Sequence, residues 1–144
     1  MKISTKGRYA IRVLLDLAEH NNGEYIPLMD IAKRQDISEK YLESIVSVLS
    51  KNGYVRSLRG KGGGYQLARL PETYTIGSIL KITEGSLSPV ACLRDDGHVD
   101  CPRAAECETI GMWKDFYQMV NRYFDGITLE DLMNRRAEAD NYVI

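Results

Sequence analysis

The 144-residue sequence predicts a mainly α chain with one small β-hairpin. Three observations predict it. Apolar side chains recur at three- and four-residue spacing from Tyr9 to Met133, the signature of amphipathic helices. Two short β-like runs flank Arg59-Gly60-Lys61-Gly62-Gly63-Gly64, a stretch dense enough in glycine to turn a hairpin tip. No apolar run approaches the ~18 residues that span a bilayer. The basic start is followed by Arg12, Asp16 and Glu19 among the apolar positions, which argues against a secretory leader and for a cytoplasmic protein. With 44% hydrophobic and 27% charged residues, a disordered or fibrous chain is excluded, and the length suits one domain. No internal repeat or low-complexity segment interrupts it.

The elements follow in order. Tyr9, Ala10, Val13, Leu14, Leu17 and Ala18 form one stripe, with Ser4 or Thr5 as its cap and Asn21-Asn22-Gly23 as its end. Pro27 starts a short helix from Leu28 to about Gln35, with Leu28, Ile31 and Ala32 inward. After a turn at Asp36-Ile37, Ser38 caps a helix whose apolar face is Leu42, Ile45, Val46 and Leu49, and Gly53 stops it. Two helices joined this tightly are a helix-turn-helix. Tyr54–Leu58 and Tyr65–Ala68 then make the hairpin, so the front of the chain reads as a winged helix-turn-helix. Its glycine-rich tip is not a nucleotide loop, because Gly60-Lys61 leads to Gly62 and a strand instead of Ser or Thr and a helix. Thr75 caps a helix from Ile76 to Glu84. A polar loop carries the cysteines to a longer helix, Glu108 to Phe124, and Thr128 caps a last short helix through Leu129, Leu132 and Met133. The expected division is 1–84, 85–107 and 108–144.

Charge is distributed unevenly. Residues 1–70 hold 12 Lys and Arg against 7 Asp and Glu, a net of +5, whereas residues 71–144 hold 7 against 13, a net of −6. A basic front half suits a polyanion. In a helix-turn-helix the N-terminal residues of the second helix reach base edges, which nominates Ser38, Lys40, Tyr41, Glu43 and Ser44. Ser, Lys and Tyr can donate to bases or phosphates, and Glu43 can accept from cytosine N4. Arg59, Gly60 and Lys61 at the wing tip suit the negative potential of a narrow minor groove. Tyr41 reads equally well as a half-buried packing residue.

Cys92, Cys101 and Cys107 lie in one loop, spaced C-x8-C-x5-C. An odd number in a chain read as cytoplasmic speaks against a disulfide framework. The short C-x2-C pairs of structural zinc are absent. Cysteine thiolates are the usual iron–sulfur ligands, and three leave one position to another residue. On the residues alone, iron–sulfur and zinc both stay open. A metalloenzyme or thiol oxidoreductase is disfavoured by the lack of C-x-x-C, H-E-x-x-H and G-x-S-x-G.

The segments Ser4-Thr5-Lys6-Gly7-Arg8-Tyr9-Ala10, Ile37-Ser38 with Tyr41-Leu42-Glu43, Lys51-Asn52-Gly53-Tyr54-Val55, Arg59 through Tyr65, and Phe124 through Leu132 together resemble the IscR/NsrR/CymR family of bacterial winged-helix transcription factors. The resemblance spans nearly the whole chain. It implies a DNA-binding regulator, not an enzyme, and a homodimer on a duplex operator. The long helix would cross its partner's through Ile110, Trp113, Phe116, Tyr117, Val120 and Phe124. The three cysteines match the cluster ligands of iron–sulfur members, with 2Fe–2S placed ahead of 4Fe–4S. One departure stands out: the histidine ligand of IscR-type members falls three residues after the third cysteine, where this chain has Ile110. Nor does Lys6-Gly7-Arg8 offer the N-terminal carboxylate of some nitric-oxide-sensing members. His98, Asp100, Glu106 and Glu108 are the nearby alternatives, and the fourth ligand stays open. The implied targets are iron–sulfur assembly genes. The alternatives are a nitric-oxide response, or control of cysteine metabolism through a regulatory protein partner as in CymR-type members.

Overall fold

Ser4 accepts the Gly7 N–H at 3.0 Å through its hydroxyl and so opens α1 (Thr5–Glu19). The computed structural model describes residues 1–142; the last two residues of the expected C-terminal segment lie outside the described residues. After α1 come α2 (Leu28–Gln35), α3 (Glu39–Lys51), β1 (Val55–Leu58), β2 (Gly64–Leu67), a 3-10 turn at Pro71–Thr73 and α4 (Ile76–Glu84). A second 3-10 turn at Ala104–Glu106 leads to α5 (Ile110–Asp125) and α6 (Leu129–Tyr142). The fold is the expected mainly helical one with a two-stranded antiparallel hairpin, Val55 opposite Leu67 and Leu58 opposite Gly64.

The apolar stripes meet in one core. Ala10, Val13, Leu14 and Leu17 of α1 pack with Leu42, Ile45, Val46 and Leu49 of α3 and Ile76, Ile79 and Leu80 of α4. Tyr74 is fully buried among them, and its hydroxyl donates to Tyr54 O at 2.6 Å while accepting the Ala68 N–H at 3.0 Å. That residue ties both feet of the wing to the helical core. The α2–α3 turn closes through the Ile37 N–H on Ala32 O at 3.2 Å, with Asp36 left-handed at φ 54°. A short polar side chain makes that conformation tolerable there.

Two elements differ from expectation. α6 runs to Tyr142 instead of ending near Met133. Residues 134–141 are helix-compatible and free of Gly and Pro, but they present no apolar face, so periodicity has nothing to register. α5 starts at Ile110, where the Trp113 N–H first donates to Thr109 O at 3.2 Å; the Thr109 hydroxyl makes no cap bond and lies 3.4 Å from Cys107 Sγ. The C-terminal segment folds back on the front half. The Ile76 N–H donates to Ile127 O at 2.8 Å, the Leu129 N–H to Tyr74 O at 3.0 Å, and Arg136 pairs with Glu19 at 3.1 Å.

Candidate nucleic-acid interface and thiol loop

The placement of α3 is set by a buried charge. Asp16 of α1 has no solvent exposure. It accepts two hydrogen bonds from Arg34, at 2.8 and 3.0 Å, and one from Gln35 Nε2 at 2.9 Å, both residues in the last turn of α2. Arg12 returns from α1 to Gln35, donating to its side-chain Oε1 at 3.1 Å and to its backbone carbonyl. These bonds fix the end of α2 and hence the turn from which α3 departs.

At the start of α3, Ser38 Oγ accepts the Tyr41 N–H at 3.2 Å, and the hydroxyl of Ser44 donates to Tyr41 O at 2.7 Å. Ser38, Lys40, Glu43 and Ser44 are exposed on one side of the helix. Tyr41 is half-buried, its ring edge-on to Tyr9 with centroids 5.8 Å apart. Packing therefore accounts for its ring. Arg59, Gly60 and Lys61 are exposed at the wing tip, where Gly60 takes φ +90°. A cleft of about 640 Å³ separates α3 from the wing, with Glu39, Glu43 and Ser47 on one wall and Ser57 and Arg59 on the other.

The wing also has a third edge that the hairpin pattern did not announce. Ile26 and Tyr65 exchange two backbone hydrogen bonds of 2.8 Å. Gly64 is required at this crossing: a Cβ there would sit 2.2 Å from Ile26 O. Tyr25-Ile26 before Pro27 is too short an apolar run to read as a strand.

Cys92, Cys101 and Cys107 are all half-buried free thiols. The first two flank a tight hairpin in which Leu93 pairs with Val99 and the Asp100 N–H donates to Cys92 O at 2.7 Å. Cys107 sits beside the start of α5. The Thr109 hydroxyl and then the Thr109 N–H hold its thiol below the usual range, with smaller help from the Ile110 N–H and Arg103. Among the described residues no three His, Cys, Asp or Glu side chains converge into a ready-made metal site. In chemistry the loop fits a thiolate-held group, since it offers three free thiols, one of them with its pKa held below the usual range. His98, Asp100, Glu106 and Glu108 are all exposed.

The structure redistributes the six aromatic and aliphatic residues expected at a dimer seam. Tyr117 and Val120 are buried in the chain's own core region, and Ile110, Trp113 and Phe124 pack against that core. Phe116 lies on the other side, between Met112 (55% exposed), Met119 (61%) and Tyr123 (60%). Those four positions form a second stripe at four-, three- and four-residue spacing.

A family described as Rrf2, an iron-dependent transcriptional regulator, matches residues 3–135. The chain is 41% identical to protein rrf2 of Nitratidesulfovibrio vulgaris over 133 residues, 92% of this chain and 87% of that one. Among solved structures, CymR, the global cysteine regulator of B. subtilis, superposes with a TM-score of 0.75 at 37% identity, covering 94% of this chain and 98% of that one. IscR of T. potens superposes at 0.76 with 36% identity, covering 96% and 90%. These are DNA-binding winged-helix regulators and not enzymes. With such coverage in both sequence and three dimensions, the chain belongs to the Rrf2 family of transcriptional regulators.

Proposed function

We propose that this chain acts as a homodimeric regulator whose affinity for operator DNA responds to an iron–sulfur cluster held by Cys92, Cys101 and Cys107. The observation that carries the reading is the set of three free, half-buried thiols on one loop between α4 and α5. The family's description as iron-dependent supports it. When bound, the cluster supplies an iron- and redox-sensitive unit that holds three thiolates together.

The chain's own residues do the reading. Lys40 donates to DNA from the exposed side of α3, Ser44 beside it offers its hydroxyl oxygen as an acceptor while its proton stays on Tyr41 O, Ser38 lies at the N-terminal end, and Glu43 faces the groove as an acceptor for cytosine N4. Arg59 and Lys61 reach the adjacent minor groove, with Gly60 letting the tip turn. Two copies joined along α5 through Met112, Phe116, Met119 and Tyr123 place two recognition helices on half-sites one helical turn, ~34 Å, or a multiple apart. Small shifts between protomers then change the fit to both half-sites at once. Iron–sulfur assembly genes are the targets that the resemblance to IscR implies.

The test is anaerobic purification with visible absorption and iron and sulfide assays, beside the triple variant Cys92→Ser, Cys101→Ser, Cys107→Ser. A brown protein with stoichiometric iron and sulfide, colourless in the variant, is the expected result. A colourless protein that cannot be reconstituted would overturn the cluster. Control by a partner protein, as in the CymR-type alternative, would then stand if operator affinity ignored the triple substitution.

A further inference from the structure

Asp95 lies at the tip of the hairpin whose base carries Cys92 and Cys101. The hairpin is short and fully bonded: the Arg94 N–H donates to His98 O at 2.8 Å, the Gly97 N–H to Arg94 O at 3.0 Å, and the Asp100 N–H to Cys92 O at 2.7 Å. Such a hairpin moves as a unit. Its carboxylate tip accepts the Ser86 hydroxyl at 2.7 Å and the Tyr117 hydroxyl from the middle of α5. Leu93, at the base of the hairpin, is 3% exposed, so the base is seated in the core, while the exposed tip is held by the two bonds to Asp95.

α5 is thus held by the thiol loop at two places. Cys107 meets Thr109 at its start, and Asp95 meets Tyr117 eight residues on, about 12 Å along the helix axis. Gathering three thiols to one point constrains the hairpin base and the helix start together. With the hairpin tip tied to Tyr117, that constraint either shifts α5 or releases the tie. The Tyr117 hydroxyl thus has two states, bonded to Asp95 or released from it, the kind of two-state element that carries coupling.

We propose that the Tyr117 to Asp95 hydrogen bond is the contact through which the cysteine loop sets the position of α5 and with it operator affinity. Tyr117 and Asp95 are positioning residues, and the proposal rests on the cluster reading for the signal that moves the loop. The test compares full-length wild type, Tyr117→Phe and Asp95→Asn, the last of which keeps an acceptor for Tyr117. Two quantities are measured. One is the rate of maleimide labelling of each cysteine in metal-free protein, resolved by peptide mapping. The other is the ratio of affinities, with and without reconstituted cluster, for a duplex selected from random DNA by the wild type.

Tyr117→Phe should load iron and sulfide like the wild type and label Cys92 and Cys101 about three- to tenfold faster, as loss of one hydrogen bond predicts. Its affinity ratio should fall toward one, while Asp95→Asn stays near wild type. A Tyr117→Phe protein with unchanged labelling, or with an unchanged affinity ratio, overturns the proposal. A wild type that takes up no iron overturns the cluster reading instead. In that case metal-free Tyr117→Phe must show both faster labelling and altered affinity for the selected duplex, or the contact has no such role.

Discussion

Arg34 and Asp16 form a pair with unequal surroundings, and the inequality makes a prediction at the residue scale. The Asp16 carboxylate has no solvent exposure, whereas the Arg34 side chain is 33% exposed. Removing the guanidinium strands a buried negative charge with Gln35 as its remaining side-chain donor. Removing the charge on Asp16 leaves Arg34 free to reach water. Arg34→Ala should therefore destabilise by about 3 kcal/mol or more, the cost of breaking a buried pair from its solvated side. Asp16→Asn should cost less, about 1 to 2 kcal/mol for weakened hydrogen bonds. Urea unfolding at one fixed protein concentration measures both, and the reverse order would refute the account. The cap at Ser38 was legible in the sequence because a cap is decided within three residues. The role of Asp16 was not, since its partners lie 18 and 19 residues away on another helix.

α5 shows why an element can be recognised while the roles of its two faces stay open. The 108–124 segment is apolar on two sides, with one stripe through Ile110, Trp113, Tyr117, Val120 and Phe124 and another through Met112, Phe116, Met119 and Tyr123. Periodicity finds a helix from either stripe and does not say which one the rest of the chain covers. Packing decided it: the first stripe is taken by the chain's own core, and on the second Met112, Met119 and Tyr123 stay exposed around a half-buried Phe116. Met119→Glu should leave the protomer's fold intact and weaken self-association, since burying a methionine contributes about 1.5 to 3 kcal/mol and a dimer buries two, on the order of a 10²- to 10⁴-fold change in dimer dissociation constant. Sedimentation velocity across a concentration series checks it, and an unchanged dimer would move the seam away from this stripe.

At the scale of the whole molecule, the +5 front and −6 back halves make the protein polar in charge. Binding to duplex DNA through the basic half releases counterions, so affinity falls as salt rises. Arg59→Ala should weaken binding to the selected duplex and flatten the plot of log affinity against log salt by about one per wing, or about two for a dimer. An unaltered slope and affinity would remove Arg59 from the interface. The sequence by itself determined the helix-turn-helix, the hairpin with its glycine tip, the charge asymmetry and the thiol loop, because caps, periodicity, turn residues and composition act over a few neighbouring residues. Only the tertiary structure decided that Ile26 completes the wing, that Asp16 anchors α2, that α5 presents Met112, Phe116, Met119 and Tyr123, and that Asp95 ties the thiol loop to Tyr117. Each of those contacts joins residues far apart along the chain, and their pairing is set by how the helices pack.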